Sequence, residues 1–396
     1  MNFILFDDYV RDELLPFTFV RPVADIRIGI LTIREKWENY IGQPISSYTE
    51  EYLSIKFPLK TESDNILING SVIPDANLLQ KIKILKINQV LIKDSAIIAM
   101  HLDSDNIKKF NVEDFEKYEK INIDENIFRI NNLWDIFTKN GDALKADFEI
   151  LTKRRKSQKL SKSNNLIGDK ENIFIEEGAK VECSTINSNT GCIYIGRNAQ
   201  VMEGSMVRGP FALCENSTVK MGAKIYGPTT IGPHSKAGGE IVNSVIFGYS
   251  NKAHDGFLGN SVIGEWCNIG ANSNNSNLKN NYGNVKLWNY PRKTFVDTGL
   301  QFCGLFMGDH SKCGINTMFN TGTVVGTSAN IFGSGFPRTF LPSFSWGGAS
   351  QLTNFDLDKA IEVAERVCQR RNIVFSKTDK EIFANIYKQT QLYRDL

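Results

Sequence analysis

From Ile195 an aliphatic side chain returns at every sixth position: Ile195, Val201, Val207, Leu213, Val219, Ile225, Ile231 and Ala237. The phase reappears in Ile263 and Ile269, and again in Met307, Cys313, Phe319, Val325 and Ile331. A period of six is too short for a helical hairpin and too regular for a meander. It predicts a coil with three flat sides, each a short strand whose aliphatic residue points inward and stacks on the coils above and below. Small residues such as Ala199, Ser217, Ala223 and Ser235 fit the second inward position of a narrow interior. Glycine directly after the inward residue, as in Ile195-Gly196 and Ile231-Gly232, is expected where the backbone turns with positive φ. A sandwich would alternate with period two and space its turns unevenly. The pattern therefore predicts a hexapeptide-repeat parallel β-helix over residues 166–335.

The front of the chain has another texture. Apolar runs (Phe3–Phe6, Ile66–Ile68, Gln89–Ile92, Ala96–Met100) alternate with helical patterns (Thr32–Tyr40, Asn77–Lys83), which predicts an α/β domain over 1–151. One helix is entered through Thr32, with Glu35 placed for a capping box. Ile66-Leu67-Ile68 runs into Asn69-Gly70, a strand ending in a turn at the edge where such sheets hold ligands. Residues 152–165 read as a basic linker: a solvated connector, or a phosphate contact. Ser188-Asn189-Thr190-Gly191 reads as a corner loop, and the Asn-rich stretch 271–294 as an insertion leaving one corner. Residues 336–396 read as an aromatic cap segment followed by helices at Asp356–Gln369 and Asp379–Tyr393.

Composition narrows the classes. Among 396 residues the net charge is +2, so no global field argues for nucleic acid. No run of 18 apolar residues argues for a membrane span. The first residues lack a basic start and a long apolar stretch, and read as a strand rather than a signal peptide. Seven cysteines without a CxxC pair suit free thiols in a reducing cytoplasm better than a metal site. Of the four histidines, His254 lies outside the inward phase, in Lys252-Ala253-His254-Asp255-Gly256-Phe257-Leu258-Gly259. A neutral imidazole there is either a base for an amine nucleophile or a structural corner residue. Asn268 and Asn277 offer hydrogen bonds to sugar hydroxyls or a thioester carbonyl.

The stretch His254-Asp255-Gly256-Phe257-Leu258-Gly259, then Ile263-Gly264, Asn268-Ile269-Gly270-Ala271 and Asn277, resembles the acetyltransferase domain of the bifunctional UDP-N-acetylglucosamine pyrophosphorylase/glucosamine-1-phosphate acetyltransferase family. That family reads H-x-x-Y-L-G, I-G, N-I-G-A-G and N-Y-D-G, and the likeness covers about 165–335. Leu15-Pro16-Phe17-Thr18-Phe19-Val20-Arg21-Pro22 through Trp37 resembles the shortened sugar nucleotidyltransferase-like domain of one branch of the family. The resemblance implies a left-handed β-helix and a homotrimer with sites between neighbouring coils. It implies acetyl-coenzyme A as donor, and a sugar phosphate or nucleotide sugar as partner. His254 would be the general base. Asn268, Asn277, Phe257 and Arg208 would hold the acceptor, and Ala271, Gly308 and Thr327 would line the donor groove.

The departures bear on substrate. Phe257 replaces the family tyrosine. The family's phosphate-binding lysine aligns with Val242, and its arginine has no clear counterpart unless Arg208 or Lys224 substitutes. The front lacks the family's G-x-G-T-R loop, and its Mg²⁺-holding "G-D" turn reads Asn69-Gly70-Ser71, where a serine cannot replace a carboxylate. Mg²⁺ is expected only if that domain is active. Arg21, Asp25, Arg27, Asn69 and Gly70 are candidates for nucleotide contact, with internal salt bridges as the alternative for the charged ones. Three functions stay open: acyl transfer on the coil, nucleotidyl transfer on the front domain, and a non-catalytic binding or regulatory role.

Overall fold

The computed structural model describes residues 1–107, 110 and 116–394. They divide into two compact units, one of residues 1–26 and 31–132, the other of 27–30 and 133–396.

The first unit is built on a six-stranded sheet ordered β2-β1-β3-β5-β4-β6, with β1 Asn2–Phe6, β2 Ser46–Tyr48, β3 Asp64–Asn69, β4 Gln89–Lys93, β5 Ala96–Asp103 and β6 Glu119–Asn122. β1 runs parallel to β2 and β3, while β5 is antiparallel to both its neighbours. The unbroken apolar runs of β1 and β3 are buried throughout, as strands covered on both faces require. The helix Ile33–Ile41 starts in the expected capping box of Thr32 and Glu35 and stops at Gly42 in the left-handed region. Its Trp37 is fully buried, and Nε1 donates to Val72 O at 2.8 Å.

The second unit is a parallel β-solenoid carrying helices. Its sides are three parallel stacks of six, nine and ten strands; the first is followed by the pair Asn274–Asn275 with Met318–Phe319, and the third closes on one antiparallel strand. Every expected rung from Ile195 to Ile331 lies inward in one continuous core. Register explains the period: Ile195 pairs with Leu213 and Leu213 with Ile231, so one coil takes 18 residues. The coil between Ala237 and its partner Lys252 is shorter, which shifts the phase. The insertion after Asn275 folds as a hairpin, Lys286–Asn289 with Thr294–Asp297. Its Trp288 stacks on Phe340 at 4.2 Å, so the insertion packs toward the far end of the coil.

The glycines after the inward residues need another explanation than the expected one. Gly196 and Gly232 are not among the positive-φ residues. They are glycine because the next coil lies against them: a Cβ on Gly196 would sit 2.6 Å from Glu215 N, and one on Gly232 2.7 Å from Phe247 C. The left-handed turn comes two residues later, at Asn198, Asn216, His234, Tyr249, Trp266, His310, Ser328 and Phe344. These line one corner. His234 stacks on Tyr249 at 4.7 Å and Tyr249 on Trp266 at 4.2 Å. The helices Leu357–Gln369 and Lys377–Gln389 belong to this corner: Phe383 meets His310 edge-on at 5.1 Å, and Arg371 Nη2 donates to His234 O.

The basic segment 152–165 is seated on the first coil. Arg155 makes a two-point ion pair with Glu176 at 2.8 and 2.6 Å, Tyr194 Oη donates to the same carboxylate, and Gln158 N donates to Ile175 O. No helix among the described residues is long and apolar enough to cross a membrane.

Candidate active site

His254 occupies the corner between the strands Asn251–Lys252 and Phe257–Gly259. The turn is locked by close stacking. A Cβ on Gly239 above would lie 2.9 Å from His254 O, and one on Gly256 would lie 2.1 Å from Ser273 O below. Asn272 N donates to Asp255 O at 2.9 Å, and Asn274 Oδ1 accepts from Phe257 N at 2.7 Å. The main chain is thereby fixed while the His254 side chain stays exposed. The other histidines are occupied structurally: His101 between Leu85 O and Asp64, His234 and His310 in the aromatic corner. His254 alone of the four is exposed.

The corner directly below is 270–273, so Ala271, half-buried, lies one coil from His254. Asn268 is exposed on the strand leading into that corner, in register with Asn251 and Lys312. Phe257 and Asn277 come together further along the side. A Cβ on Gly259 would touch both, 2.5 Å from Phe257 Cζ and 2.7 Å from Asn277 Nδ2. Asn277 Nδ2 also donates to Asn260 Oδ1 at 2.8 Å. His254 and Asn277 therefore sit at opposite ends of one flat side, joined by Phe257.

Arg208 and Lys224 face outward on the same side, nearer the start of the solenoid. With Met206, Tyr226, Thr185 and Asn187 they line a groove of about 300 Å³. Register places Lys224 two strands from Phe257, about 10 Å at the usual strand spacing, and Arg208 three strands from Gly259, about 14 Å. Lys224 lies 3.8 Å from Glu240, whose carboxylate partly offsets its charge. Val242 stands between Tyr226 and Gly259 and supplies no cation. Gly308 and Thr327 do not converge on Ala271: both are buried, on the aromatic corner.

Sequence reasoning passed over Lys252. It occupies an inward position, paired with Ala237, and is 2% exposed. Burial pushes its ammonium down to about 8, with Asp255 and Cys313 opposing. Its signal was a charged residue in the inward phase two positions before His254.

The candidates on the front unit are bound up internally. Asp25 and Arg34 form a two-point ion pair at 2.8 Å, the structural alternative for that cluster. Arg21 is buried, with Nη1 3.4 Å from Phe17 O. Arg27 belongs to the second unit, where it donates to Ile30 O. Asn69 donates to Asp8 Oδ2 and Ile97 O and accepts from the Ser71 amide and hydroxyl, while Gly70 N donates to Phe6 O. Arg129 reaches Asp8 at 3.3 Å. Asp7 accepts from Thr49 Oγ1 and Val23 N, and desolvation pushes its carboxyl up to about 6. The carboxylates at this edge are thus committed to neighbours, and the set does not fit Mg²⁺, which asks for open oxygen ligands in octahedral geometry.

Residues 3–156 match the family described as sugar nucleotidyl transferase. A Bifunctional protein GlmU of Methanocaldococcus jannaschii is 27% identical over 249 residues, 63% of this chain and 51% of that protein. A bifunctional sugar-1-phosphate nucleotidylyltransferase/acetyltransferase of Sulfurisphaera tokodaii is 26% identical over 43% of this chain and 40% of its own length. The chain thus spans about half the length of the curated relatives it matches, or less. Among solved structures, an Arabidopsis UDP-N-acetylglucosamine acyltransferase aligns at 16% identity over 60% of this chain and 95% of that one, with a TM-score of 0.23, too loose to speak to chemistry.

Proposed function

We propose that the coil transfers an acyl group from acetyl-coenzyme A to the amino group of an amino-sugar phosphate or nucleotide-linked amino sugar. The observation that carries this is the setting of His254: a rigid main chain, an exposed imidazole, and Ala271 and Phe257 beside it on the coil. The acceptor amine attacks the thioester carbonyl, the new C–N bond forms and the C–S bond breaks. His254 takes the proton that the nitrogen loses, and that proton leaves with the thiol. Asn277 and Phe257 hold the sugar, Asn268 and Ala271 the donor side. The cations that project outward on this side of the coil, Lys224 and Arg208, stand about 10 and 14 Å from Phe257 and Gly259. That distance favours an acceptor longer than a sugar monophosphate, such as a nucleotide-linked amino sugar. A homotrimer in the cytoplasm suits the half-open groove: Met206 and Tyr226 leave 50% and 41% of their surface exposed on the face a neighbouring coil would cover. His254→Ala tests the reading: it should abolish acyl transfer and leave the oligomer intact, and unchanged turnover would remove it.

The likeness of residues 3–156 to nucleotidyl transferases favours a second reading, nucleotidyl transfer on the front unit. The interlock of Asp8, Asn69 and Arg129 weighs instead for sugar-nucleotide binding without turnover there. Pyrophosphate release from UTP or dTTP with sugar 1-phosphates separates the two.

A further inference from the structure

The third stack of inward residues reads Val181, Val201, Val219, Ala237, Lys252, Ile269, Cys313 and Ile331. One member is charged. Lys252 is 2% exposed, and among the described residues no carboxylate lies within ion-pair distance of it. Asp255 acts on it only from beyond ion-pair distance; burying an ammonium so is costly, and a valine or isoleucine would serve the stack better. The residue paired with it in the coil above is the small Ala237. Its Nζ donates to His254 O at 2.5 Å, the one hydrogen bond it makes among the described residues.

We infer that Lys252 is a positioning residue: a buried ammonium that tethers the His254 carbonyl from inside the coil and so sets the direction in which the imidazole leaves the corner. The inference rests on the acyl-transfer reading for its consequence in catalysis, and on the tether alone for its structural content. Gly239 in the coil above and Ser273 in the coil below crowd the corner. They hold the corner between its neighbours, and the ammonium on the carbonyl adds a hold on the 254–255 peptide plane from inside the coil. Removing the donor lets the 254–255 peptide rotate and the imidazole swing, and misplacement by about 1 Å costs on the order of 10²-fold in rate.

The test compares wild type with Lys252→Met and Lys252→Leu, full chain, in two measurements. The first is acyl transfer from acetyl-coenzyme A, with kcat and acceptor KM separated. The second is the imidazole carbon–proton NMR resonance of His254, assigned by its loss in His254→Asn. We expect kcat to fall about 10²-fold with KM moved less than about threefold, the His254 resonance to shift and broaden, and the melting temperature to hold or rise, because an apolar rung replaces a buried charge. A purely structural lysine would lower the melting temperature and leave the kcat/KM split alone. An unmoved His254 resonance in both variants overturns the inference, and so does failure of both to fold. If wild type shows no acyl transfer, the functional reading fails, while the resonance still decides the tether.

Discussion

Asp7 follows β1, and its ionisation makes a quantitative prediction. Desolvation pushes its carboxyl from 3.8 to about 6, against the lowering by Thr49, Val23 and Arg11. The folded chain therefore holds the proton more tightly than the unfolded chain. That contribution to stability is fully present below pH 3.8 and is lost as pH rises through about 6. The full shift is worth ~3 kcal/mol; Asp7 is half-buried, so ~2 kcal/mol is the expected loss between pH 4 and pH 7. Asp7→Asn cannot ionise. Its amide oxygen still accepts from Val23 N, and the Thr49 hydroxyl can rotate to accept from the new amide. The variant should match wild type near pH 4 and exceed it by ~2 kcal/mol at pH 7. The measurement is urea unfolding at a series of pH values, read by hydrogen exchange in peptides covering β1 and β3. Parallel pH curves for the two proteins would refute the argument.

Two further predictions follow from packing. Gly256→Ala places a Cβ 2.1 Å from Ser273 O at a φ of 117°. It should cost about 2–3 kcal/mol and displace the His254 corner, lowering acyl transfer as well as the denaturation midpoint. Ile225→Ala empties a rung that is 2% exposed and should cost about 2–4 kcal/mol, with activity at low denaturant retained; a loss under 1 kcal/mol would argue against a continuous core.

The solenoid was legible because inward residues must repeat in phase: Val201, Val219 and Ala237 stack directly, and a polar substitute would be exposed by its rarity. The reason for the glycines was not legible, because crowding by the next coil and a positive φ leave the same letter. Gly196 is pressed on Glu215 N, while Asn198, two residues on, takes the left-handed turn. The seating of the exposed linker on the first coil was hidden for a related cause. Arg155 looks like a solvated charge until Glu176 and Tyr194, some twenty and forty residues on, are brought to it by the first coils. His254, Phe257 and Asn277 were singled out by motif, and the structure adds their placement along one side of the coil. Lys252 was hidden because the phase slips between Ala237 and Ile263, so its inward place shows only against Ile246 and Leu258, six residues either side.

The central claim is that His254 moves the proton in acyl transfer on the coil. Its most direct test is single-turnover thiol release from acetyl-coenzyme A with amino-sugar phosphates and nucleotide-linked amino sugars, wild type against His254→Asn. The account predicts a fall of about 10²–10⁴-fold in the chemical step at unchanged acceptor affinity and melting temperature. A His254→Asn rate within about threefold of wild type would contradict it.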